Sequence, residues 1–261
     1  TVINQGTLAN SNYDITYVAN NFAITTRPIT LTAGNRTKVY GDVLTLGTSD
    51  FSLTAGSYAN SELATAVTLA STGGMAASTT QAVATYSGNI TASNATGTGG
   101  FLESNYDITY AAGALEITAR PIIITANASQ TKIYGNIEPT FTYAIEAAGT
   151  NRGRVGTDTF TGALARAAGD NVGSYAINQG TLANSNYAIT FVGDNFAITT
   201  RPITITADAN QSKIYGNTDP IYTYAIEAAG TNRGLVGSDT FTGALARAAG
   251  DNVGSYAINQ G

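Results

Sequence analysis

Apolar and polar residues alternate with a period of two in many short segments of this 261-residue chain, and the pattern predicts β-strands. Residues 122–126 and 203–207 are β-branched runs that follow a proline, which favours an extended start. The same alternation predicts further strands at 140–144, 157–166, 172–177, 187–191, 196–199 and 221–225. Clusters of glycine and asparagine between these segments predict turns.

Helix signals are scarce. Residues 61–71 (SELATAVTLAS) begin like a capped helix, but Thr65, Val67 and Leu69 alternate as in a strand, which is the interpretation we favour. Residues 145–153 are a second candidate, for one short helical turn whose length the glycines limit. The sequence therefore predicts a mostly β protein: an elongated tandem array of small antiparallel β domains, β-grasp-like or sandwich-like, with at most a short helix each.

The chain repeats itself. Residues 121–180 and 202–261 differ at only ten positions with an offset of 81, which indicates an array of similar domains. Arginine-proline pairs end three similar segments, at Arg27-Pro28, Arg120-Pro121 and Arg201-Pro202, and we interpret each pair as a stiff hinge between units.

These pairs predict the domain boundaries. Residues 1–27 are then the C-terminal part of a preceding repeat, 28–120 a longer divergent repeat, 121–201 a complete repeat and 202–261 the N-terminal part of a further one. A permuted phase, with units 7–99, 100–180 and 181–261, remains open. In either phase we expect further repeats on both sides in the natural protein.

Composition excludes several functions. The chain has no Cys, His or Trp, and its 12 cationic against 17 anionic side chains argue against binding to nucleic acid or an anionic membrane. Serine-histidine and cysteine-histidine chemistry and thiolate zinc sites are impossible without His or Cys. The carboxylates are too isolated for a calcium loop, and no apolar stretch reaches the roughly 20 residues that span a bilayer. We therefore expect no catalytic residue, no cofactor, no metal site and no membrane span in this segment.

Each unit has a single lysine, in the motif Lys-x-Tyr-Gly. One hypothesis is an intramolecular isopeptide bond assisted by Glu146 or Glu227, which needs a buried, neutral amine. We favour instead an edge-strand lysine that deters strand pairing, and a tight turn at Tyr-Gly. The nine structural motif residues are Lys38, Tyr40, Gly41, Lys132, Tyr134, Gly135, Lys213, Tyr215 and Gly216.

Two further groups of side chains have alternative interpretations. The recurring tyrosines could stack on sugars, but periodic aromatics in small β domains are more often core residues, which is the interpretation favoured for Tyr134, Tyr143, Tyr175 and Tyr187. Arg166 and Arg247 lie close in sequence to Asp170 and Asp251, which predicts surface salt bridges.

The ordered motifs Lys-x-Tyr-Gly, Asp-x-Phe-x-Gly-x-Leu-x-Arg, Asn-Val-Gly-x-Tyr-x-Ile and Asn-Tyr-x-Ile-Thr resemble the MBG domain family, in its Tyr-Gly-x type. The resemblance covers essentially the whole chain, although the middle of 28–120 departs from the pattern. It implies a β-grasp-like repeat of large secreted bacterial surface proteins that are described as adhesins.

We therefore expect a structural or adhesive segment that forms an extended stalk or fibre at the bacterial cell surface, in the setting of cell adhesion and biofilms. The alternative is a glycan- or matrix-binding module that acts by avidity. Neighbouring repeats are the expected partners, and other copies could join by strand addition into a filament. We do not expect an enzyme.

Overall fold

The computed structural model describes all residues from Thr1 to Gly261, and it is built almost entirely from β-strands. The chain forms two compact units. The first comprises Thr1–Pro121, Ala148–Gly156 and Ser185–Ala188, and the second comprises Ile122–Ala147, Thr157–Asn184 and Ile189–Gly261. Two short segments of the second repeat thus belong to the compact unit of the first.

The N-terminal segment 1–26 has little regular structure. Its only strands are β1 (Val2–Ile3) and β2 (Asn20–Asn21), which pair antiparallel. Most of its side chains, including the large apolar ones, are exposed to solvent.

The first repeat contains two sheets. Its strands are β3 (Arg27–Ala33), β4 (Arg36–Val39), β5 (Phe51–Ala55), β6 (Leu63–Ser71), β7 (Ala84–Thr98), β8 (Tyr106–Ala111) and β9 (Gly113–Thr118). One sheet has the order β5-β3-β8 and the other β4-β9-β7-β6. Alternate residues of β3 and β9, among them Leu31 and Leu115, are fully buried and form part of the core.

The second repeat has the same plan. Its strands are β10 (Arg120–Ala126), β11 (Gln130–Ile133), β12 (Tyr143–Ile145), β13 (Ala165–Arg166), β14 (Gly173–Asn178), β15 (Tyr187–Val192) and β16 (Asn195–Thr199). The sheets have the orders β12-β10-β15 and β11-β16-β14-β13. The buried core cluster consists of Ile124, Ala126, Leu164, Ile177, Leu182, Phe196 and Ile198.

Residues 202–261 form a smaller structure. The strands β17 (Ile205–Ala207) and β18 (Tyr224–Ile226) make one two-stranded sheet, and β19 (Leu245–Arg247) and β20 (Ile258–Gln260) make another. Both pairs are antiparallel and keep the register of their counterparts in the second repeat.

The structure confirms the mostly β class, and residues 61–71 form strand β6 rather than a helix. The only helical elements are two 3-10 turns, at Thr72–Gly74 and Glu103–Asn105. Most strand pairs are antiparallel, as predicted, but β3 pairs parallel with β8, β4 with β9 and β11 with β16. An alternating pattern shows which face of a strand is buried but carries no information on strand direction.

Two local expectations are also wrong. Residues 157–166 form strand structure only at β13 and an isolated bridge between Thr161 and Ala183. Gly162 interrupts the strand because it takes a φ of +85°, at a place where a Cβ atom would lie 2.2 Å from the Thr181 carbonyl oxygen. Residues 145–153 contain no helical turn: β12 is followed by a tight turn closed by an antiparallel bridge between Gly149 and Arg152.

Candidate functional site: the arginine joints

Arg120 joins the first repeat to a turn of the second. Its buried guanidinium donates from Nε to the carbonyl oxygen of Gly153 at 2.9 Å, and from Nη2 to those of Gly149 and Arg152 at 2.7 and 2.9 Å. Nη1 donates to the Tyr40 carbonyl oxygen at 3.0 Å and to Asp42 Oδ1 at 2.7 Å. A guanidinium has five N–H donors, so every one of them is used.

Arg201 makes the corresponding contacts between the second and the last repeat. We call each such set of contacts around a guanidinium an arginine joint. Its Nε and Nη2 donate to the carbonyl oxygens of Gly234, Gly230 and Arg233, at 2.9, 2.7 and 2.9 Å. Its Nη1 donates to the Tyr134 carbonyl oxygen at 3.2 Å and to Asn136 Oδ1 at 2.9 Å. The two joints differ in charge, because the first has Asp42 where the second has the neutral Asn136.

Arg27 holds the same place in the sequence but makes two hydrogen bonds instead of five. Its Nε and Nη2 bind the backbone carbonyl and the hydroxyl of Ser57, at 2.7 and 2.6 Å. The side chain is exposed. The three arginine-proline pairs thus form a series with one exposed and two fully bonded guanidinium groups.

At both joints, the carbonyl oxygen of the proline after the arginine accepts a further backbone hydrogen bond. The Pro121 carbonyl accepts from Gly153 N at 2.9 Å, and the Pro202 carbonyl accepts from Gly234 N at 2.8 Å. Pro28 is an exposed residue of strand β3. The stiffness of the joints as hinges stays a prediction, since it concerns motion.

The glycine of Lys-x-Tyr-Gly lets the next repeat approach closely. A Cβ atom at Gly41 would lie 2.3 Å from Val155 Cγ2, and one at Gly135 would lie 2.5 Å from Val236 Cγ2. Gly41, Gly135 and Gly216 all have a φ between +80° and +88°, but a Cβ at Gly216 would meet no atom within 4 Å. The motif glycine therefore serves both a tight turn and the contact with the next repeat.

The motif tyrosines also lie at the joints. The buried Tyr40 packs edge-on against Tyr187, with ring centroids 5.5 Å apart. Tyr134 donates its hydroxyl hydrogen to Asp239 Oδ2 at 2.8 Å, and this bond raises the pKa of the tyrosine. Tyr215, the third member, is largely exposed.

The motif lysines occupy two kinds of site. Lys132 Nζ lies 2.6 Å from Glu138, and Lys213 Nζ lies 2.6 Å from Asp219. A second cation binds each carboxylate, Arg166 in the first case and Arg247 in the second. The paired cations lower the pKa values of both carboxyl groups to about 2.

Lys38 has no such carboxylate partner among its hydrogen bonds. Its Nζ is enclosed by the carbonyl oxygens of Met75, Ala76 and Ser78, at 2.6, 3.0 and 2.5 Å. Burial lowers its pKa, and the nearby Asp42 partly offsets that effect. All three acceptors belong to the longer middle segment of the first repeat, which explains why this lysine differs from the other two.

Lys38 and Lys132 lie on edge strands as predicted, because β4 and β11 are the outer strands of their sheets. That these lysines deter strand pairing stays a prediction. The geometry does not favour the isopeptide hypothesis. Glu146 accepts a hydrogen bond from Ile123 N at 2.9 Å, and Glu227 binds Arg233 and Thr204 N. Neither carboxylate is the bonding partner of a motif lysine.

The tyrosines and arginines agree with the favoured interpretations. Tyr187 is buried, and Tyr134, Tyr143 and Tyr175 pack against the core cluster of the second repeat. The salt bridges of Arg166 with Asp170 and Arg247 with Asp251 are present, at 3.6 and 3.4 Å. Sequence reasoning missed the stronger carboxylate partners Glu138 and Asp219, which follow each lysine by six residues.

The 261 residues contain no cluster of three or more potential metal-ligating side chains. No helix here has the length and apolar surface that crossing a bilayer requires.

A family model describes this chain almost from end to end. The model of the MBG domain (YGX type) matches three successive segments, residues 29–116, 122–197 and 203–261. Each match begins one residue after an arginine-proline pair. Neither the curated proteins nor the solved structures include a match to this sequence. With three tandem matches over most of its length, the chain belongs to the MBG domain family of the YGX type.

Proposed function

We propose that the chain is a spacer segment of a secreted bacterial surface protein, in which MBG domains joined in series set the length of an adhesive stalk or fibre. The observation that carries the proposal is the repeated joint: Arg120 and Arg201 bind corresponding atoms through all five donors. One connecting geometry used at successive boundaries is what a modular spacer requires.

The sheets support the arginine-proline phase as the folding repeat. The residues from Arg27 to Thr118 form one three-stranded and one four-stranded sheet, and those from Arg120 to Thr199 form the same pair of sheets. Domains of this family are typical of extracellular surface proteins, which supports the proposed location.

Small-angle X-ray scattering tests the spacer proposal. A compact globule of this length has a radius of gyration of about 18 Å. Domains in series give a clearly larger value, with a cross-section radius that matches a single domain. Data extrapolated to zero concentration remove the contribution of association. A radius near that of the globule would refute the spacer proposal.

We favour the spacer over a glycan-binding module because the faces of the candidate stacking tyrosines already contact protein. Tyr187 packs on Tyr40, and Tyr134, Tyr143 and Tyr175 pack against the core cluster. A glycan array probed with the full chain separates the two proposals, since a pure spacer binds none of the sugars. We propose no catalytic role, and a hydrolase screen against polysaccharides tests that part separately.

A further inference from the structure

The first and the last strands of the first repeat pair as one parallel ladder. Strand β3 pairs with β8 from Arg27 and Tyr106 onwards, and β4 pairs with β9 up to Val39 and Thr118. Both pairings keep the same register, with partners 79 positions apart, although they belong to different sheets. The two ends of the repeat therefore lie side by side and run in the same direction.

The ladder stays closed where it passes from one sheet to the other. A Cβ atom at Gly113 would lie 2.5 Å from the Ala33 carbonyl oxygen and 2.6 Å from the Gly34 carbonyl oxygen, so the two backbones are in contact there. At the far end, Tyr40 N donates to the Thr118 carbonyl oxygen at 2.9 Å. The pairing thus extends along the first and last strands without a gap at the bend.

The second repeat has the same arrangement. Strand β11 pairs parallel with β16 up to Ile133 and Thr199. At the other end, Arg120 N donates to the carbonyl oxygen of Asn186, the residue before β15, at 3.0 Å. The start of β10 thus lies beside the start of β15, as the start of β3 lies beside the start of β8.

Tension along the chain loads this ladder lengthwise. The chain enters the first repeat at the start of β3 and leaves it at the end of β9. A pull therefore draws 27–39 toward one end of the ladder and 106–118 toward the opposite end. The hydrogen bonds of a parallel pair are evenly spaced between the two strands, so this motion strains all of them together. The two stretches separate only if these bonds break within the same small displacement.

The strands that take up the load are inner strands of their sheets. β3 lies between β5 and β8, and β9 lies between β4 and β7. In the second repeat, β10 and β16 have the same inner positions. Leu31 on β3 and Leu115 on β9 are fully buried, so sliding either strand also draws an apolar side chain out of the core. No loaded strand can be peeled from the edge of a sheet.

We propose that the parallel ladder is a mechanical clamp, which lets each of these two repeats carry tension between its ends without unfolding. Resistance to force is a property beyond the setting of length. Its use in the natural protein rests on the proposed spacer function, because a domain carries tension when it is joined in series. The clamp itself belongs to the fold of the repeat, so the two proposals can fail separately.

Two double-cysteine variants of the full chain test the clamp in two directions. The natural chain has no cysteine, so the pulling handles attach only at the introduced thiols. T26C with E116C loads the ladder lengthwise, because these positions lie toward its opposite ends. T26C with N105C pulls the strands apart sideways, because the next residues, Arg27 and Tyr106, are paired. All three replaced side chains are exposed, so the fold is not altered.

Single-molecule force spectroscopy at one pulling speed gives the readout. The lengthwise variant is expected to unfold at a force at least about twofold higher than the sideways variant, because its bonds break together and not one after another. Both variants should have the same midpoint in urea, so that stability does not explain the difference. Equal forces in the two directions would overturn the clamp.

Pulling the unsubstituted chain through its two ends tests both repeats in one molecule. Two long steps are expected, with lengths that differ by about 40 Å, because Arg27–Thr118 has 12 residues more than Arg120–Thr199. Both should occur near the force of the lengthwise variant, and steps at the sideways force would contradict the proposal. An elongated chain in X-ray scattering with such weak steps would refute the clamp alone, and a compact chain with strong steps would refute the spacer alone.

Discussion

Arg120→Lys tests the proposed role of the arginine joint. Lysine keeps the positive charge but has three donors on one nitrogen, whereas Arg120 uses five donors on three nitrogens. At least two of the five acceptors therefore lose their bond to this side chain. Four of these acceptors are backbone carbonyls, which cannot move without changing the turn that carries them.

The expected loss follows from the bonds that lysine cannot make. A hydrogen bond to a charged group contributes about 1.5–3 kcal/mol, so the loss of two lowers the free energy of unfolding by about 3–6 kcal/mol in the buried joint. Arg201→Lys removes the same bonds at a less buried site without a carboxylate partner, and about 1–3 kcal/mol is expected there. Arg27→Lys affects an exposed side chain bound only to Ser57, and its cost should stay below about 1 kcal/mol.

Urea unfolding followed by far-ultraviolet circular dichroism measures the free energy of unfolding of the three variants and so ranks their losses. Hydrogen–deuterium exchange of residues 148–156 adds a local measurement, because the amides of Gly149, Arg152 and Gly153 are all bonded within this joint. Faster exchange in that segment is expected for Arg120→Lys and not for Arg27→Lys.

Two results would refute the reasoning about the joint. One is Arg27→Lys being as destabilising as Arg120→Lys, which would mean that the number of hydrogen bonds made by the guanidinium does not set the cost. The other is unchanged exchange at 148–156 in Arg120→Lys. Asp42→Asn gives Arg120 a neutral amide acceptor, as Arg201 has in Asn136. In that background the stability loss caused by Arg120→Lys should come closer to the loss caused by Arg201→Lys.

Three further substitutions probe the remaining contacts. In urea unfolding, Gly135→Ala should destabilise by about 1–3 kcal/mol more than the matched Gly216→Ala. Both glycines have a positive φ, but only Gly135 faces a valine of the next repeat. Equal losses would show that the contact with the next repeat is unimportant. The depressed pKa of Glu138 contributes stability that is present above its ordinary value of 4.5 and is lost as the pH falls through about 2. Glu138→Gln should therefore flatten the acid limb of a plot of stability against pH, and an unchanged limb would contradict that assignment. Lys38→Met removes the bond to the Ser78 carbonyl oxygen, while the carbonyl oxygens of Met75 and Ala76 keep bonds from Ser78 N and Leu44 N. It should cost about 1–3 kcal/mol by thermal unfolding, clearly more than Lys213→Met; equal losses would show that the Ser78 carbonyl does not depend on Lys38.

The sequence predicted most of what depends on local pattern. The β-branched runs after proline form the first strand of each repeat, and the single lysine of the first two repeats lies on an edge strand. Alternation also distinguished strand from helix at Leu63–Ser71. These features depend on residue type and spacing, which a single sequence displays.

The joints could not be predicted in the same way. Four of the five acceptors of Arg120 are backbone carbonyls, and every residue has a carbonyl, so the sequence gives no sign of which ones converge. Glu138 was missed because its two cationic partners lie six residues before it and 28 residues after it, on different strands. The parallel pairs were not predicted, because parallel and antiparallel strands have the same alternation of apolar and polar residues.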